Sequence, residues 1–416
     1  MFLRLFQKEC AQVGKSLIYW LYVVCLVVFF SSQMGSMKDN MLQPPERGQD
    51  NYQAYGFKED VTEQDLMRKA LGELAWGYYY GSFTTYPVGY AKDVRLSESE
   101  QEEVGRIINE TTGIEPDKIE EHLAAYFEKH DVTTEPYLIE PKKGLTYEAF
   151  LNEMEKVTDM LGPGSSFTEE SLKSETRLSL DYEGAVKAYE NLTDKDGYTG
   201  GYTRLFCDYM GIMAGILPIF VVATRMLRDR RAQMQDLIYA RRASSAVIIT
   251  SRFAAMTVMM MAPIIILSLV PTVDSMIFTK GSQISLDYLA FLKYDFGWLL
   301  PTVLAVTAVG MFFTELTDTA LGVLVQAAWW FISLQIGVAG IYGGQYGWNL
   351  IPRHNTEMNY SGFKEGFTQL AMNRAFYTLL AAALIAATIW IYEKKRKGHL
   401  KRRGKILRNR KKPTQA

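Results

Sequence analysis

Six stretches of this chain are almost free of charge, and their lengths set the first expectation. The first covers 16–30, and five more follow at 205–227, 246–271, 296–314, 320–342 and 375–392. The later five approach the roughly 20 residues that an α-helix needs to cross about 30 Å of hydrocarbon. A helix in a soluble core keeps a polar face, and these mostly lack one. The pattern predicts a polytopic α-helical membrane protein with six transmembrane helices. Ahead of the first run, Arg4, Lys8 and Lys15 alternate with Phe2, Leu3, Leu5 and Phe6, as in a short amphipathic helix lying in the interface. The run ends in Ser31-Ser32-Gln33-Met34-Gly35 without an A-x-A-like site, and Trp20 and Tyr22 are bulky for a signal core. It reads as an uncleaved span.

Between the first two runs the pattern becomes that of amphipathic helices. Ser97-Glu98-Ser99-Glu100 is a capping box ahead of Val104, Ile107 and Ile108. Ile119, Leu123, Tyr126 and Phe127 recur at helical spacing, as do Phe150, Met154, Val157 and Leu161. Ser166-Phe167-Thr168-Glu169 reads as a second capping box opening a long helical stretch that ends near Asn191. Trp76 to Tyr90 is densely aromatic, punctuated by Gly77, Gly81, Pro87 and Gly89, and reads as a core loop or short hairpin. The expected division is an elbow and first span over 1–34, then a large, mostly helical extracytoplasmic domain over 35–204. A five-helix transmembrane domain over 205–393 and a basic tail over 394–416 complete it.

Charge adds orientation once it is split by position. The 416 residues hold 45 Lys and Arg against 46 Asp and Glu, a near balance. Residues 36–200 carry 34 acidic and 17 basic side chains, which leaves 12 acidic and 28 basic for the rest. Twelve basic residues lie in 394–412, and Arg225, Arg228, Arg230, Arg231, Arg241 and Arg242 lie between the second and third spans. With six spans, these stretches and the N-terminus share one side, which Lys and Arg mark as cytoplasmic. The acidic block and the 272–295 and 343–374 loops then face outward. Only the 314–319 turn, with Glu315 and Asp318, is weakly signed. The expected location is the cell membrane, with both termini cytoplasmic. Cys10, Cys25 and Cys207 all lie in or beside apolar segments. The outer domain, at roughly 165 residues, must therefore stand on a packed core without disulfides. The tail follows a span directly and reads as an anchor for anionic membrane lipids rather than a nucleic-acid site.

Catalytic and metal patterns are missing. There is no phosphate loop and no G-x-S-x-G elbow, and His122, His130, His354 and His399 make no metal-ligand spacing. No cofactor, metal or enzymatic activity is expected on this chain. Asp194-Lys195-Asp196-Gly197 reads as an Asp-Gly turn, because a calcium loop centred on Gly197 would put Leu192 and Thr203 where ligands are needed. Within the spans, Pro218, Pro263 and Pro301 favour kinks. Asp208 needs a partner at its depth, such as Arg374, and Gln326 and Gln335 read as bonds between helices.

The most distinctive polar segment is 228–242. Met234, Leu237, Ile238 and Arg241 fall on one side of a helix, with charge on the other. Such a helix can lie on the membrane surface and meet a soluble partner. The segment resembles the permease subunits of type-2 ATP-binding-cassette (ABC) exporters. Their signature sets an acidic-basic pair after the second span, then a Gly-Thr and a Leu-rich coupling helix. A Pro-x-Ser-Arg turn and a Gly-Lys entering the third span complete it. Here Asp229-Arg230 match the pair, Asp236-Leu237-Ile238 the Glu-Leu-Leu core and Ser244 the Ser, while Arg252 stands where the Lys would be. Gln233 and Met234 replace the Gly-Thr, Arg242 the Pro, and Ser245 the Arg. The layout is similar as well: an elbow, one span, a large outer domain and five spans. The resemblance implies a separate ABC ATPase subunit docked on 230–242 and a second permease subunit, identical or related, enclosing the path. ATP hydrolysis on the partner would then drive export. The rival expectation is a membrane-bound ligand sensor with an acidic outer domain.

Overall fold

The computed structural model describes residues 1–35, 41–48, 51–58, 60–87, 91–128, 136–240 and 242–400, apart from the side chains at 235, 236 and 339. The features expected at Val88, Gly89, Tyr90, His130, Arg241 and 401–412 lie outside the described residues. The chain is mostly helical and forms two compact units, Leu42–Glu190 and a second built from Met1–Met41 with Asn191–Ala416. Helix α1 (Phe2–Gly14) turns Glu9 and Val13 inward and leaves Phe2 and Leu3 exposed. Helix α2 (Leu17–Met34) is apolar up to Phe30 and buries Tyr19, Tyr22, Leu26, Phe30 and Met34 at helical spacing.

The unit Leu42–Glu190 contains α3 (Glu63–Tyr80), β1 (Phe83–Thr85), β2 (Lys92–Val94), α4 (Glu98–Thr112), α5 (Ile119–Phe127), α6 (Tyr147–Leu161), α7 (Glu169–Glu175) and α8 (Tyr182–Glu190). Leu71 and Leu74 of α3 form a common core with Ile107, Ile108, Phe150 and Val157. The Ser97–Glu100 capping box is present, and Thr62 with Asp65 makes a second at the start of α3. The aromatic segment divides between two elements. Trp76–Tyr80 closes α3, Gly81 turns the chain with φ +63°, and β1 pairs antiparallel with β2, Phe83 opposite Val94. The long helix expected up to Asn191 does not form. Its cap is Thr168 rather than Ser166, and α7 stops at Glu175. Beyond it, Lys58 N–H donates to the Leu178 carbonyl and Leu180 N–H to Gly56. That strand-like bridge takes the backbone groups a continuous helix would need.

The other unit continues with α9 (Thr199–Ala214), α10 (Pro218–Arg231), α11 (Gln235–Tyr239), α12 (Ser245–Phe278), α13 (Ala290–Tyr294), α14 (Leu300–Thr317), α15 (Leu321–Gly337) and α16 (Tyr360–Arg396). Five helical stretches are long and apolar enough to cross a membrane: Leu17–Met34, Thr199–Arg231, Ser245–Phe278, Ala290–Thr317 and Tyr360–Arg396. Helix α15 is apolar but shorter, at 17 residues. Two of the long stretches are interrupted. A turn separates α9 from Pro218 at the head of α10, and a π-helical turn, Asp295–Leu299, joins α13 to α14 just before Pro301.

The interruptions free backbone carbonyls, and neighbouring side chains take them. At the Pro218 break, Gln326 Nε2 donates to the Gly215 carbonyl at 2.7 Å and Trp330 Nε1 to Ile212 at 2.9 Å. Pro263 lies inside α12 without breaking it and leaves the Met259 carbonyl without its usual amide donor. Tyr19 Oη donates there at 3.2 Å. Gln326 thus bonds between helices, whereas Gln335 is exposed.

The segment 341–359 is irregular, yet Tyr346, Leu350, Ile351 and His354 are fully buried. Arg374 donates to the carbonyls of Trp298, Asn349 and Leu350, and Asn373 to those of Gly347 and Asn349. Arg204 pairs with Asp196 and reaches the Glu357 and Met358 carbonyls at 3.2 Å. Gly201 makes that approach possible, since a Cβ there would overlap the Glu357 carbonyl. Asp208 pairs with Arg353 rather than Arg374, because Arg374 is occupied by backbone. His354 accepts from Arg204 Nε at 3.2 Å and lies 2.8 Å from the Tyr346 hydroxyl. Burial first, and the Arg204 charge second, push its pKa well below the ordinary imidazole value.

Replacing Gln326 with Leu leaves the Gly215 carbonyl unpaired and should lower unfolding free energy in detergent by about 1–2 kcal/mol. Gln335→Leu should change it by less than about 0.5 kcal/mol. A neutral, buried His354 makes the unfolded chain the better proton acceptor, so stability should fall as pH drops below about 6.5. His354→Gln should lower the thermal midpoint at neutral pH but flatten its acid dependence.

Candidate functional site

Four charged side chains meet where α1, α10 and α12 come together. Arg225 of α10 donates from Nε to Glu9 Oε2 at 2.6 Å and from Nη1 to Asp229 Oδ1 at 3.2 Å. Arg252 of α12 reaches Glu9 Oε1 at 3.2 Å and Asp229 Oδ2 at 2.8 Å. Each carboxylate faces both guanidiniums, so the charges cancel within a ring that is largely removed from water. Such mutual pairing is what makes buried charge tolerable.

Arg230 belongs to a second group. It pairs with Glu315 at 3.2 Å and with Asp318. Lys395, in the last turn of α16, pairs with Asp318 at 2.6 Å and with Glu315 at 3.6 Å. Two acids at the C-terminal end of α14 oppose its dipole, and the two cations reverse that penalty. Nearby, the Ser245 hydroxyl donates to Glu393, and Arg396 Nη1 donates to the Ala243 carbonyl at 2.7 Å. Both ends of 232–244 are therefore fastened to long helices.

The segment itself begins with a tight helix end. Met234 N–H bonds the Asp229 carbonyl and Gln233 N–H the Arg230 carbonyl, both at 3.0 Å. This is a Schellman turn, and Gln233 holds its left-handed position at φ +55°. Glycine is the residue such a position favours. Helix α11 follows with only five residues, fewer than the amphipathic pattern over 234–241 suggests. The turn at Gln233 takes the residues on one side. Ser244 caps α12 on the other, accepting from Val247 N–H.

Of the residues expected to act together, Asp229 and Arg252 are bonded to each other, while Arg230 joins the second group. Leu237 is 64% and Met234 47% exposed, whereas Ile238 is half-buried. The Asp236 side chain lies outside the described residues. Sequence reasoning missed Glu9, Arg225, Glu315, Asp318 and Lys395 as members. Two signals were available. Glu9 is the one acid among the basic residues of 1–15, and the 314–319 turn runs against the positive pattern of its neighbours.

Among the described residues, no group of three His, Cys, Asp or Glu is placed to hold a metal ion. The arginine–carboxylate bonds are directional and fix neighbouring helix ends in register. The chain matches no family model, and no curated protein and no solved structure matches it.

Gln233→Gly should stabilise the protein by about 0.5–1 kcal/mol, because glycine relieves the left-handed strain. Gln233→Val should destabilise it by about 1–2 kcal/mol, since a β-branched side chain fits that conformation worst. Thermal midpoints of the two variants in one detergent check both signs.

Proposed function

We propose that this chain is the permease subunit of a type-2 ABC transporter that works as an exporter. ATP hydrolysis on a separate ABC ATPase subunit drives translocation, and a second permease subunit, identical or related, completes the substrate path. The observation that carries this reading is the mounting of 232–244. Exposed Met234 and Leu237 sit on a short segment whose two ends are held by ion pairs and hydrogen bonds to long helices. A soluble partner pressing there has an apolar contact and a rigid connection to the spans. The left-handed Gln233 supports the resemblance further, because it occupies the place of the signature glycine.

The topology belongs to the same proposal. Counting α15 with its continuation Val338–Gly340 as a span makes six, with both termini cytoplasmic and 35–204 extracytoplasmic. Membrane insertion rests on the five long apolar helices, and the plasma membrane is the proposed site. Lys394 and Lys397 then meet the anionic lipid of the inner leaflet.

Replacing Asp236, Leu237 and Ile238 together with Gly tests the assignment. The variant should insert normally, lose co-purification of the ATPase and abolish coupled transport. Wild-type partner binding in that variant overturns the proposal. Intact insertion with no ATPase recovered from the wild-type protein favours the ligand-sensor reading instead.

A further inference from the structure

Two aspartates of the membrane unit are fully buried, and they are treated differently. Asp208 accepts four hydrogen bonds: two from Arg353, one from His354 N–H at 2.7 Å and one from Asn355 at 2.8 Å. It is satisfied as a carboxylate. Asp295 opens the π-helical turn and is also 0% exposed. Among the described residues its one side-chain partner is the Ser268 hydroxyl, 2.8 Å from Oδ2, and its Oδ1 has none.

Ser268 lies between two oxygens that can accept its proton. Its Oγ also lies 2.9 Å from the Ile265 carbonyl, which can only accept. A hydroxyl has one proton to donate. When Ser268 gives it to Ile265, the hydrogen in the Ser268–Asp295 bond must come from Asp295. Among the described residues, no cation is paired with Asp295. Helix α14 has no charged residue before Glu315, and Lys293 of α13 is paired with half-buried Asp287. From α9, Cys207 is the titratable group that faces Asp295. From α16, Arg374 is bonded to the Trp298 carbonyl of the same turn.

We propose that Asp295 is a proton-binding site of the membrane unit, loaded while bonded to Ser268 and emptied when α12 and the π-turn separate. On release the Asp295 O–H bond breaks, its electron pair stays on the carboxylate, and the proton passes to water. One donor on that turn can receive the anion: among the described residues, the Trp298 indole N–H is buried without a hydrogen-bond partner. π-Turns and intramembrane acids both concentrate at functional positions. The inference stands without the transporter assignment.

Infrared spectra of the full chain in lipid nanodiscs test it. At neutral pH the wild-type protein should show the carbonyl stretch of a protonated carboxylic acid. Asp295→Asn should lose that band, and Ser268→Ala should shift it to higher frequency. A spectrum unchanged by both substitutions overturns the proposal. If Asp295→Asn fails to insert, Ser268→Ala decides alone, and an unshifted band overturns it. Raising the pH should remove the wild-type band and lower its thermal midpoint relative to Asp295→Asn. A midpoint difference independent of pH overturns the release step.

Discussion

A carbonyl released inside hydrocarbon has only protein to bond to, and this bundle is organised around that obligation. The break before Pro218 brings α15 against α9, because Gln326 and Trp330 supply the missing donors. Pro263 does the same for α2 through Tyr19. The irregular 341–359 segment can be buried because Arg204, Asn373 and Arg374 take its carbonyls. Charged side chains that look misplaced in an apolar helix are there as donors.

The same accounting governs charge. Two groups of buried ions form closed sets. Glu9, Arg225, Asp229 and Arg252 form one, and Arg230, Glu315, Asp318 and Lys395 another. Both sets tie α10 to neighbouring helices. Among the described residues, Asp295 has no such set.

Much of the architecture was legible in the chain. Five of the six apolar runs correspond to long helices and the sixth to the shorter α15, and the Ser97–Glu100 cap and the Val104, Ile107 and Ile108 stripe lie where periodicity put them. The failures have specific causes. The helix expected beyond Ser166 lost to a bridge with Phe57, a residue more than a hundred positions away. The extent of 234–241 as a helix was overstated because apolar spacing does not register the left-handed turn at Gln233. Arg374 was offered to Asp208 because sequence records charge but not occupancy.

Composition and spacing along the chain by themselves determined that apolar helices alternate with a cysteine-free acidic domain, and where cations concentrate. Those properties follow from local hydropathy and from bonds within one helix. The tertiary structure alone decided which acid meets which base, which side chain closes each opened carbonyl and which buried aspartate is left nearly alone. Partners distant in sequence, such as Glu9 with Arg252 or Gln326 with Gly215, are selected by packing geometry. No local pattern encodes a distance between two helices.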